Sequence, residues 1–233
     1  MYAVEQIRAY CRAIERHVGR ATGSVTYVVR MGFYADQVLP RVIDVALGSR
    51  TDPIRARVTA DLSGDVLEVG FGSGRNVQHL PSAVNRLIAV DPATVGRRLA
   101  ARRIAARGVP VEFVGLDGQS LPLDDSSVDH VLVTWTLCTI PDVDRALREM
   151  RRVLRPGGAL HFVEHGKSPI PASARRQDRI TPVWRRVMGG CHLNRNIPDL
   201  IESAGFDMQR LDSFRDNGPE FVARLYEGVA ISR

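Results

Sequence analysis

Between residues 64 and 165 the chain alternates short apolar runs with longer amphipathic stretches. Val66-Leu67, Arg86-Leu87-Ile88-Ala89-Val90, Val111-Glu112-Phe113-Val114, Val128 to Thr134 and Ala159 to His165 read as buried strands, being short and rich in β-branched residues. Between them, Arg97 to Arg107 predicts an Ala/Arg-rich helix closed by Gly108, and Val143 to Val153 predicts an amphipathic one. Leu154-Arg155-Pro156-Gly157-Gly158 ends the latter, and the polar run Arg75-Asn76-Val77-Gln78-His79-Leu80 is expected to open a helix after the first strand. Strands alternating with helices imply an α/β domain built on a parallel sheet.

The flanks follow other rhythms. Val4, Ile7, Cys11, Ile14 and Val18 form one helical stripe, with Arg8, Arg12 and Arg16 on another face. Val38, Leu39, Val42, Ile43 and Ala46 form a second stripe, and a short third helix is expected from Ile54 to Leu62. Residues 1–60 thus predict a helical cover, in which Tyr27, Phe33 and Tyr34 are candidates for core packing or an acceptor pocket. After residue 165, an arginine-rich, proline-punctuated insertion over about 166–196 carries a short helical pattern around Trp184. A helix over Asp199 to Ser203 follows, and Phe206 to Phe214 with Phe221 to Ser232 predicts a closing antiparallel pair.

Composition narrows the class. The 233 residues suit one domain with a large core, and 44% hydrophobic with 25% charged residues is ordinary for a soluble globular protein. The net charge of +6 is almost wholly arginine, Lys167 being the one lysine, and the arginines are spread along the chain. A dispersed basic excess bears on solubility before recognition, so no nucleic-acid partner is expected. The three cysteines, Cys11, Cys138 and Cys191, are far apart and show no short Cys/His spacing. Neither a disulfide framework nor a metal is expected, and a reducing cytoplasm fits. No apolar run reaches membrane-spanning length and the N-terminus lacks a signal-peptide core, while peripheral contact through the first helix stays open.

The chemistry concentrates in Glu68-Val69-Gly70-Phe71-Gly72-Ser73-Gly74. Residues without a Cβ allow a sharp turn and let a ligand lie against backbone. A dinucleotide loop reads G-x-G-x-x-G, whereas these glycines alternate and an acid stands two before the first. Asp91-Pro92 closes the second strand 17 residues after Gly74, where a carboxylate can accept from ribose hydroxyls. This E-x-G-x-G-x-G form resembles the first motif of class I S-adenosylmethionine (SAM)-dependent methyltransferases, of methyltransferase-domain type 11. Leu116-Asp117-Gly118-Gln119-Ser120-Leu121-Pro122-Leu123 resembles that family's G-D-A-E-x-L-P-F stretch, with Leu116 in place of glycine, and Leu154 to Gly158 its L-R-P-G-G.

The resemblance implies a Rossmann-like fold with a seven-stranded, mostly parallel sheet, helices on both faces and an N-terminal helical cover. Residues 61–233 would form the SAM-binding domain. Glu68, Gly70, Phe71, Gly72, Gly74 and Asn76 would surround the methionine end of SAM. Asp91 and Pro92 would meet the ribose, Asp117 and Gly118 the adenine, and Thr134 and Leu137 the end of the fourth strand. Glu164-His165 and Gly190-Cys191-His192-Leu193-Asn194-Arg195 have a narrower likeness, to the methyltransferase-like 7 thiol methyltransferases, beside branches acting on quinone precursors. The implied activity is methyl transfer to a small-molecule acceptor such as a thiol or quinol, leaving S-adenosylhomocysteine. Alternatives are a SAM-fold regulatory protein without turnover and a lipid head-group N-methyltransferase. His165, Glu164 and His192 are the candidates for a general base, and Cys138, with no histidine near it in sequence, is expected to line the pocket.

Overall fold

The structure, a computed structural model, describes residues 48–92 and 94–233, so the stripes expected before residue 48 and the three aromatic candidates lie outside it. The strands are β1 (Gly64–Val69), β2 (Val84–Val90), β3 (Val111–Gly115), β4 (Val128–Thr134), β5 (Leu154–His165), β6 (Phe206–Arg215) and β7 (Arg224–Ser232). They form one seven-stranded sheet in the order β3-β2-β1-β4-β5-β7-β6. The first five are mutually parallel, and β7 runs antiparallel between β5 and β6. The helices are α1 (Asp52–Thr59), α2 (Thr94–Arg107), α3 (Val143–Val153), α4 (Pro171–Val187), α5 (Ile197–Ser203) and α6 (Glu220–Ala223).

Alternate residues of each central strand go to opposite faces. Leu67, Ile88, Val131 and Leu160 pack with Leu147 and Met150 of α3 and Ile201 of α5. Val66, Leu87, Ala89 and Leu132 pack with Ile54 and Val58 of α1 and Ala100 of α2. Both faces being covered, the last four residues of β1, β2 and β4 are all buried rather than alternately so. Asp142 caps α3 by accepting from Arg145 N at 3.0 Å, and the buried stripe Val143, Ala146, Leu147, Met150 and Val153 fixes its facing.

Four expectations need correction. The fifth strand begins at Leu154 rather than Ala159, directly after α3. The run after the glycine loop forms only a 3-10 turn, Val77–His79, not a helix. Pro81 disfavours helical backbone in the residue before it, and Leu80 accordingly is extended, with ψ 133°. The short helical pattern around Trp184 is a 17-residue helix, α4. The last strand begins at Arg224 rather than Phe221, because Pro219 starts the turn of helix α6.

Candidate active site

Ligands of open parallel sheets bind beyond the carboxyl ends of the strands, where the strand order reverses. That point lies between β1 and β4. The glycine loop leaves β1 there with Gly70, Gly72 and Gly74 at φ of +84°, +56° and +70°. A side chain at Gly70 would be strained and would overlap Thr136 Oγ1 in the loop after β4. The loop is anchored to the next strand: Gly70 N donates to Val90 O at 2.9 Å, and Gly72 N to Asp91 Oδ2 at 2.6 Å. Gly96 of α2 closes it from outside, since a Cβ there would overlap Gly72 O.

Beneath the loop is a buried polar network. Asn76 Nδ2 donates to Glu68 Oε1 at 2.7 Å and to Thr134 Oγ1 at 3.0 Å. Arg55 of α1 reaches in from the other side, donating to Asn76 Oδ1 at 2.7 Å and from Nε to Thr51 Oγ1 at 3.0 Å. Its guanidinium also lies 4.7 Å from the ring centre of Trp135. Trp135, immediately after β4, has φ +52°, a left-handed conformation costly for a bulky residue and concentrated at functional sites. Burial pushes the Glu68 carboxyl up to about 8, against the lowering effect of Asn76. It is therefore mostly protonated at neutral pH.

The loop after β4 is clasped from β5. Glu164, fully buried, accepts from Thr136 N at 2.6 Å, Leu137 N at 2.8 Å and Cys138 N at 3.2 Å. Desolvation raises its pKa to about 7 even though these amides favour the anion. Arg195 adds a second clasp by donating to Leu137 O. His192 binds the same loop, its N–H donating to Cys138 O at 2.8 Å, with Nδ1 3.3 Å from that oxygen.

His165 ends β5 with Nδ1 3.9 Å from Cys191 Sγ. The thiols of Cys138 and Cys191 and a ring nitrogen of His165 lie within 4.8 Å of one another. Cys138 and His165 together hold the Cys191 thiol below its ordinary range, while the adjacent sulfur and burial push Cys138 up. The histidine absent from Cys138's sequence neighbourhood is thus supplied across the fold. Ile180, Trp184 and Met188, from α4 and the residue after it, cover this cluster.

Of the predicted residues, Glu68, Asn76 and Thr134 meet in one network, and Asp91 closes on Gly72. Pro92 is exposed beside Asp91. Phe71 and Leu137 have their side chains in the core, Phe71 edge-on to Phe113 at 5.1 Å between centroids, so only their backbone faces the site. Asp117 stands exposed beyond β3, accepting from Gln119 N and Nε2 at 2.8 Å each, and Gly118 packs on Val69. Sequence reasoning missed Arg55, Gly96 and Trp135. Arg55 offered one signal, an arginine next to the apolar stripe Ile54-Val58 of a short helix.

Alternating left-handed glycines, an acid closing β2 and a clasped loop after β4, set on this strand order, define a Rossmann-like fold of the class I methyltransferase type. Residues 67–162 match the family described as a methyltransferase domain. Methyltransferase GfsG of Streptomyces halstedii is 31% identical over 233 residues, covering 88% of this chain and 79% of that protein. The chain belongs to this methyltransferase family. Thiol S-methyltransferase TMT1B of Rattus norvegicus is 34% identical over 151 residues, 63% of this chain and 62% of that protein. The chain thus matches about three fifths of the length of that relative. Among solved structures, a SAM-dependent methyltransferase of Thermotoga maritima superposes with a TM-score of 0.62 at 20% identity, over 86% of this chain and 98% of that one, which shows the shared fold.

Proposed function

We propose that the protein transfers the methyl group of SAM to a small-molecule thiol. The observation that carries the reading is the meeting of the glycine loop, Asp91 and the clasped loop after β4 at the β1/β4 switch point. Similarity to the thiol S-methyltransferase supports the acceptor class. In this reading the backbone of Gly70 to Gly74 holds the methionine end, Asp91 the ribose and Asp117 the adenine.

The reaction asks little of side chains. The sulfonium methyl is already electrophilic, so alignment of the acceptor and exclusion of water supply most of the acceleration. A thiol with pKa about 8.5 is partly thiolate at neutral pH. Glu164 spends its oxygens on three amides, which suits holding the loop rather than moving protons. His192 leans on the same loop, leaving His165 as the one of the three candidates placed to position the acceptor. No helix among the described residues is long and apolar enough to cross a membrane. A cytoplasmic enzyme without a nucleic-acid partner is part of the proposal, supported by cysteines that suit a reducing compartment and by the dispersed arginines.

The test is transfer of labelled methyl from SAM to panels of small thiols and quinols, with calorimetry of S-adenosylhomocysteine binding alongside. Thiol methylation is expected. Quinol methylation alone would move the chain to a quinone branch, and binding without turnover would make it a regulatory protein.

A further inference from the structure

The cluster of Cys138, His165 and Cys191 stands apart from every contact assigned to SAM. Its members come from three separate segments: the loop after β4, the last residue of β5, and the loop after α4. The segments are tied to one another. Glu164 holds the Cys138 loop through three amides, and Cys138 O accepts from His192 N, next to Cys191, at 2.8 Å. His165 is held by its strand pairing with Leu225 of β7.

We propose that Cys138, Cys191 and His165 bind one thiophilic divalent ion of the zinc class, whose fourth position takes the acceptor thiol as a thiolate. The acceptor half of this inference rests on the thiol methyltransferase reading; the metal half does not. Two sulfurs and an imidazole select zinc-like ions over magnesium or calcium. Tetrahedral zinc, with bonds of about 2.3 Å to sulfur and 2.0 Å to nitrogen, needs ligand atoms about 3.5–3.8 Å apart. The ligand atoms here lie within 4.8 Å, and Cys191 Sγ with His165 Nδ1 already at 3.9 Å. A contraction of about 1 Å at most therefore completes the site, within the reach of side-chain rotation. Three protein ligands leave a tetrahedral ion one open position, the arrangement of catalytic rather than structural sites.

The surroundings suit a bound thiolate. The cluster is covered by apolar side chains of α4, and the buried indole N–H of Trp184 faces the Cys191 sulfur and favours its thiolate. A metal-bound Cys191 sulfur would keep that donor as an outer-shell partner. The Cys138 loop is also the one whose Thr136 abuts Gly70 of the glycine loop, so the ion would sit at the same sheet edge as the sulfonium.

The step balances without an oxidant. The acceptor thiol loses its proton to solvent as it binds the metal. Its sulfur lone pair forms the new carbon–sulfur bond while the methyl–sulfonium bond breaks, that pair returning to the S-adenosylhomocysteine sulfur. The thioether product is neutral and a weaker ligand, which favours its release. Short Cys/His spacing is silent on such a site, because the proposed ligands lie 27 and 26 positions apart in sequence.

The test is a Co²⁺ titration of the reduced, metal-stripped full chain, read by sulfur-to-cobalt charge-transfer absorption. Expected is a band saturating at one equivalent, lost in Cys191→Ser and Cys138→Ser, with tetrahedral visible bands altered in His165→Ala. Addition of 2-mercaptoethanol should raise the band from two cobalt–sulfur bonds towards three. No band in the wild-type protein overturns the proposal whatever the variants do, as does a band that survives in either folded serine variant or ignores added thiol. S-adenosylhomocysteine calorimetry on the same samples separates the readings. Binding without a cobalt band defeats the metal site alone, and a cobalt band without binding defeats the methyltransferase reading alone.

Discussion

At the end of β2, Asp91 accepts from Gly72 N at 2.6 Å, so one carboxylate both closes the glycine loop and faces the proposed ribose. Hydrogen bonds to a charged group contribute about 1.5–3 kcal/mol. Asp91→Asn should therefore weaken S-adenosylhomocysteine about 10- to 100-fold by calorimetry while the protein still unfolds cooperatively; unchanged affinity would remove Asp91 from the site. Glu68 makes a different prediction. Its folded pKa of about 8 lies above the ordinary 4.5, so its contribution is full below pH 4.5 and is lost as pH rises through 8. Glu68→Gln keeps an acceptor for Asn76 and cannot ionise, so denaturant titrations should show it losing less stability than wild type between pH 5 and 9. An equal loss in both would show that Glu68 does not titrate there. Asp91 was legible because a strand-ending acid at a set distance from a glycine loop is a local pattern. Arg55 was not, because only the fold reveals that Asn76 and Trp135 await it.

β4 and β5 carry a pair of histidines between them, with His130 Nδ1 3.1 Å from His161 Nε2. Desolvation lowers His161 from 6.5 to about 4, and the neighbouring His130 adds to this. A base with a depressed folded pKa stabilises above its unfolded value and loses that contribution as pH falls, here between 6.5 and 4. At 1.36 kcal/mol per unit the loss is about 3 kcal/mol. Glu68 and Glu164 work in the opposite direction over the same range, so the wild-type curve alone is not diagnostic. The stability difference between His161→Leu and wild type should instead move by about 3 kcal/mol in the variant's favour from pH 7 to pH 4, measured in urea; a constant difference would refute the assignment. The elements themselves were legible where one signal ruled. β4 and α3 match residue for residue, one an apolar run and the other a capped stripe with Gly-Gly beyond it. The expected helix after the glycine loop failed because Pro81 outweighed a polar run that looked helical, and the cluster of Cys138, His165 and Cys191 stayed hidden because its members meet only in three dimensions.

Across the whole molecule, five parallel strands converge on one edge, so loop, acids and clasp are positioned by a single cooperative sheet. A ligand that binds only this assembled edge must stabilise the entire domain. At about 100 times its dissociation constant, S-adenosylhomocysteine should contribute about 2.7 kcal/mol. For a chain of this size that corresponds to a rise of about 5–10 °C in melting temperature. Gly96→Ala tests whether the coupling runs through α2: its methyl group would meet Gly72 O, so either the helix or the loop must move. The variant should melt a few degrees lower than wild type and lose most of the ligand-induced rise, because the displaced backbone is the surface the ligand lies on. A variant that melts lower yet keeps the full rise would place the ligand away from the glycine loop. That outcome would undo the cofactor assignment even with the family membership intact.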